Sequence, residues 1–146
     1  MLDGLFVTPA VTAIGEALAS ARADGKLAVV GNGKLAAALA EGTLDVVPIG
    51  LSARAAKKLT NALADLSSLE DRSLAAVVGV DIATDEGWEA RLREWARVVR
   101  DGGAIVFVDR GHAPEASRRA LCAGLSEIEQ RHAGRVVVTS GVVTHL

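Results

Sequence analysis

The chain has 146 residues, half of them hydrophobic and very few aromatic, with a formal net charge of -2. That length suits a single domain, residues 1–146, and leaves no room for a cofactor domain beside a separate substrate domain. Acidic residues interleave with Lys and Arg and no basic patch carries stacking aromatics, which speaks against nucleic acid; no apolar run approaches the ~20 residues of a membrane span.

In chain order the apolar period switches between 3.6 and two, the pattern of an α/β domain with a parallel sheet. Thr8-Pro9 starts a covering helix whose stripe is Val11, Ile14 and Leu18, ending near Asp24-Gly25. A buried strand, Leu27 to Val30, runs into Gly31-Asn32-Gly33 and a short helix, Lys34 to Glu41. The next strand is Leu44 to Ile49. Ser52 caps a helix carrying Ala56, Leu59, Leu63 and Leu66, so Thr60 to Leu66 is expected to be helical. A core strand, Leu74 to Val80, follows. The helix of Trp88, Leu92, Trp95 and Val99 stops at Asp101-Gly102-Gly103, and Ala104 to Val108 is another core strand. A helix is expected from Pro114 to Gln130, on the stripe Leu121, Leu125 and Ile128. Arg135 to Thr139 and Val142 to Leu146 then flank Ser140-Gly141 as an antiparallel hairpin. Cys122 has no second cysteine to pair with and no charged-then-apolar leader opens the chain, so cytoplasm is the expected compartment.

Three segments carry a resemblance. Val29-Val30-Gly31-Asn32-Gly33-Lys34-Leu35 resembles the first motif of the class I S-adenosylmethionine (SAM) methyltransferases. Leu69 to Asp81 is similar to that family's loop and fourth strand, and Leu92 to Val108 to its helix, glycine turn and fifth strand. They occur in the family's order and cover most of the chain. The resemblance implies a three-layer Rossmann-like fold: a mostly parallel sheet with helices on both faces, a C-terminal antiparallel hairpin, and a third strand reduced or absent, because Gly50 to Leu74 is too short for a full helix, strand and helix.

It also implies a cofactor site with parts replaced. Val29 stands where the motif has an acidic residue and Leu35 where it has a third glycine. Gly50 stands where an acidic side chain accepts from both ribose hydroxyls, a loss of roughly 1 to 3 kcal/mol per unsatisfied group. If SAM binds, Gly31, Gly33 and Asp65 are its cofactor-binding residues, with Asp65 matching the aspartate that meets the adenine amino group. The subtraction leads to the expectation of no cofactor and of a degenerate methyltransferase-like domain serving as an interaction, scaffolding or regulatory module. The alternative is a small SAM-dependent methyltransferase acting on a small molecule or protein. No catalytic residue is assigned. Asp81, Asp109, Arg110 and His112 gather at strand ends, but loop caps, pairing with Arg110 and a solvated His112 explain them better than a metal would, so no metal is expected. The partner expected is a second copy of the chain or a dedicated protein, meeting an apolar edge or the C-terminal hairpin.

Overall fold

The computed structural model describes residues 4–41, 44–50, 63 and 65–145. Their helices are α1 (Gly4–Ser20), α2 (Gly33–Ala40), α3 (Trp88–Val98) and α4 (Ala113–Cys122). Their strands are β1 (Lys26–Val30), β2 (Asp45–Ile49), β3 (Leu74–Val80), β4 (Val99–Asp109), β5 (Ser126–Ala133) and β6 (Val136–Val142). The strands form one sheet in the order β2-β1-β3-β4-β6-β5. The first four run parallel, and β6 returns antiparallel between β4 and β5.

The near-continuous apolar runs of β1, β3 and β4 follow from burial on both faces. Alternate side chains divide between two cores. Leu27, Val29, Ala76, Val78, Val106 and Val138 pack with α1 and α2 on one face. Ala28, Val77, Ile105 and Phe107 pack with Leu92, Trp95 and Ala120 of α3 and α4 on the other. This is the expected three-layer arrangement.

Three local expectations are corrected. Leu63 is not helical: its N–H donates to the Pro48 carbonyl at 2.8 Å and its carbonyl accepts from Gly50 at 2.9 Å, a parallel bridge to Ile49 outside β2. The strand edge offers this backbone two partners at once. Asp65 beyond it is extended, and Leu66–Ser68 is a single 3-10 turn. Among the described residues the third strand is therefore reduced to a bridge. The helix expected from Ser52 through residue 62 lies outside the described residues.

The helix expected from Pro114 to Gln130 ends at Cys122, where Gly124 takes φ +84 and donates to Leu121 at 3.0 Å. The stripe was misleading. Leu121 is 68% exposed, while Leu125 is buried beneath the sheet. Ser126–Ala133 is a strand, and its partner β6 runs straight through Ser140-Gly141. The hairpin turns instead at Gly134-Arg135, between paired Ala133 and Val136. Val136, Val137 and Val138 are buried, so these three offer no open apolar face to a partner, and Val142 is half-buried. The edge of β2 likewise carries a backbone partner at Leu63.

Candidate functional site

The parallel strands all end on one side of the sheet, and the turns leaving them enclose a cleft. At its centre, Gly31 leaves β1 with φ +79, and among the described residues no atom outside its chain neighbours lies within 4 Å of where a Cβ would stand. Ligand backbone approach at this point is therefore open. The Gly31 N–H donates to Ile49 at 2.8 Å, tying the β1 turn to the end of β2. Asn32 is buried, and its side-chain oxygen accepts from Leu35 N–H at 2.9 Å, capping α2.

The cleft has two adjoining hollows that share Val30, Gly31, Arg91 and Trp95. One, of about 370 Å³, extends towards Gly50, Asp65 and Leu66. The other, of about 310 Å³, extends towards Asp81, Thr84 and Asp85. A larger groove of about 440 Å³, between α3 and α4 at Trp88 and Cys122, lies away from these strand ends.

Leu35 and Val29 do not obstruct the cleft. Both are fully buried in the α1–α2 core and line neither hollow. The turn accommodates Leu35 by turning its side chain under α2 instead of towards a ligand. Gly50 does lie on the wall, with φ +65, and supplies backbone alone. Gly33 is the first residue of α2 and does not line either hollow. Asp65 is brought to the rim by the Leu63 bridge. Its Oδ1 accepts from the Ser67 N–H at 2.9 Å and from the Ser67 hydroxyl. The hydroxyl first, then the amide, hold this carboxyl below its ordinary range, so it is ionised at neutral pH.

The second hollow is walled by the loop between β3 and α3, fixed from four directions. Asp81 takes a left-handed conformation, φ +57, uncommon for a residue with a side chain. Its N–H donates to Val108 at 2.9 Å. Arg119 of α4 donates to the carbonyls of Ile82 and Asp85 at 2.5 and 2.8 Å. Asp85 pairs with Arg91 at 2.5 Å. Finally, Asp109 at the end of β4 accepts from the Ala83 N–H at 2.9 Å through Oδ1.

Asp109 is only 2% exposed, and its Oδ2 has no hydrogen-bond partner. Burial pushes its carboxyl up to about 6; the Ala83 amide pulls it down, Asp81 raises it further, and His112 and Arg119 lower it. A carboxyl raised in the folded state favours folding below its unfolded value near 3.9, and that contribution is lost as pH rises through about 6. Asp109→Asn, which keeps an acceptor for Ala83, is therefore expected to exceed the native chain in stability by about 1–3 kcal/mol at pH 8. The gap should close towards pH 4. Urea unfolding at the two pH values checks this, and a variant less stable at pH 8 would refute it.

The remaining sequence candidates separate. His112 is exposed and starts α4 at φ +60, and Arg110 is exposed. Among the described residues, no group of three His, Cys, Asp or Glu is placed to hold a metal. No described helix is long and apolar enough to cross a membrane. Trp95 is buried beside Phe107, with ring centroids 6.4 Å apart, whereas Trp88 lies under the guanidinium groups of Arg118 and Arg119. The weight of Trp95 in the cleft was missed in the sequence. Its helical spacing reads the same for a core residue as for a wall residue.

No protein-family model matches the chain, and no curated protein matches it. Solved structures do. A SAM-dependent methyltransferase of Thermotoga maritima aligns over 96% of this chain and 92% of its own, with a TM-score of 0.71 at 15% identity. The T. thermophilus 16S rRNA N2 G1207 methyltransferase, solved with AdoMet and guanosine, aligns over 84% of this chain with a TM-score of 0.62 at 18% identity. This chain spans only 36% of its length. The fold is that of the class I SAM-dependent methyltransferases. A third methyltransferase-fold structure, from the complex with the Haloferax volcanii Trm112 methyltransferase activator, aligns over 93% of both chains with a TM-score of 0.68 at 14% identity.

These neighbours correct the expectation of no cofactor. One of them is a SAM-dependent methyltransferase and another was solved holding AdoMet. The expectation rested on Val29, Leu35 and Gly50 together. Two of the three prove to be core residues that take nothing from the methyltransferase-fold cleft.

Proposed function

We propose that this domain binds SAM in the cleft and is a small methyltransferase acting on a small-molecule acceptor. The observation that carries this reading is the continuous cleft at the strand ends, with open space above Gly31 between the Asp65 rim and the Asp81–Asp85 loop. The hollow at Gly50, Asp65 and Leu66 suits the adenosine part. There Asp65, ionised, accepts from an exocyclic amine, and Gly31 admits the ligand against the backbone. SAM supplies an electrophilic methyl group when bound. The adjoining hollow at Asp81 and Thr84 suits the acceptor, with Trp95 forming the shared wall and excluding water.

Without an acidic side chain at Gly50 the ribose hydroxyls lose a partner, so affinity is expected to be modest, with Kd on the order of 10–100 μM. Titration calorimetry with SAM measures it, and Asp65→Ala should weaken binding about tenfold, as the loss of a charge-assisted hydrogen bond does. A folded protein that gives no heat with millimolar SAM would overturn the reading. A protein partner is a second reading, favoured by the structural neighbour solved with an activator protein. Light scattering of the pure chain and a pull-down from its native extract test for a homodimer or such a partner.

A further inference from the structure

Asp109 stands out because it is buried at a cost and yet does not line the cleft. It closes no ion pair, and its Oδ1 spends its one hydrogen bond on the amide of Ala83, 26 positions earlier in the chain. That amide belongs to the Ile82–Thr84 turn, from which Ile82 and Thr84 line the 310 Å³ hollow together with Asp81 and Asp85. The same turn is held from α4 by Arg119, which is itself paired with Glu115. The wall thus hangs between one fixed cation and one carboxyl able to change its charge.

We propose that Asp109 is a positioning residue for the cleft: through the Ala83 amide its carboxylate fixes the Asp81–Asp85 loop, and gaining a proton loosens that wall. Ionised, Asp109 makes a charge-assisted bond to Ala83 and repels Asp81 across the loop; neutral, it makes an ordinary bond and repels nothing. The charged groups acting on it are Asp81 from the end of β3, His112 from the loop before α4, and Arg119 from α4. Of these, His112 carries the imidazole, and its replacement is the control. A charge kept at the expense of stability is common where function needs it.

The ligand arm of the test rests on the SAM reading, whereas the amide arm does not. In the full chain, the Ala83 amide resonance and the Asp109 carboxyl carbon are followed by NMR from pH 4.5 to 8. Both should move together with a midpoint of about 6. His112→Gln should keep the curve and move its midpoint somewhat upward, since His112 lowers the Asp109 carboxyl, and Asp109→Asn should flatten the amide curve. Calorimetry with S-adenosylhomocysteine should show the native chain binding about tenfold more tightly at pH 7.5 than at pH 5, and Asp109→Asn binding equally at both. An Ala83 amide that does not titrate, or whose titration survives Asp109→Asn or disappears in His112→Gln, overturns the proposal. So does equal native affinity at the two pH values. No binding at either pH would instead count against the SAM reading, leaving the amide curves to decide whether Asp109 holds the loop.

Discussion

Replacing Gly79 with alanine is expected to destabilise the protein by about 2–4 kcal/mol and lower its Tm by roughly 5–15 °C. Gly79 lies in β3, and a Cβ there would stand 2.1 Å from Cη2 of Trp95 and 2.7 Å from its Cζ2. No real pair of atoms tolerates that approach. The indole has little room to withdraw, because Trp95 is 3% exposed and packs against Phe107. Strain must pass into the sheet or into α3. Since Trp95 lines both hollows, its displacement should also reduce SAM affinity. Thermal unfolding and calorimetry read the two effects. Trp95→Phe in the same chain should recover part of the stability, a coupling that a double-mutant cycle measures. A fully tolerated Gly79→Ala would show that the indole does not lie against the strand.

Gly31→Val is expected to abolish detectable SAM binding, a loss of at least tenfold, while leaving the circular dichroism of the sheet in place. Two effects act together. At φ +79 a β-branched side chain is strained by roughly 1–3 kcal/mol, and it projects into the space that the ligand's approach requires. Because no described residue occupies that space, folding should suffer only from the backbone strain. Binding should suffer from both. Calorimetry with SAM beside urea unfolding separates them, and undiminished affinity would place the ligand elsewhere than above this turn.

The two predictions draw on different parts of the sequence record. Gly31 was visible beforehand because a strand, a glycine turn and a helix follow one another, and local chemistry decides such a turn. Gly79 was not. Within Leu74 to Val80 it reads as one more small residue in a buried strand, and only the arrival of Trp95, from a helix 16 positions later, gives it a role. The site shows the same division. Gly31 and Asp65 were named from their motif and do line the cleft, whereas Gly33 was named with them and lies in the first turn of α2.

Chain pattern alone determined the α/β class, the four parallel strands and the helices α1, α2 and α3, because burial on two faces imposes periods that survive in one dimension. It failed where a residue's partner lay across the sheet. Leu63 kept helical spacing but took its hydrogen bonds from Pro48 and Gly50, and Leu121, Leu125 and Ile128 formed a stripe over a chain that bends at Gly124 into β5. Tertiary structure alone decided that Leu35 turns into the core, that Asp109 reaches back to Ala83, and that Asp65 reaches the rim. Each of these depends on distances between elements far apart in sequence, and spacing along the chain carries no measure of them.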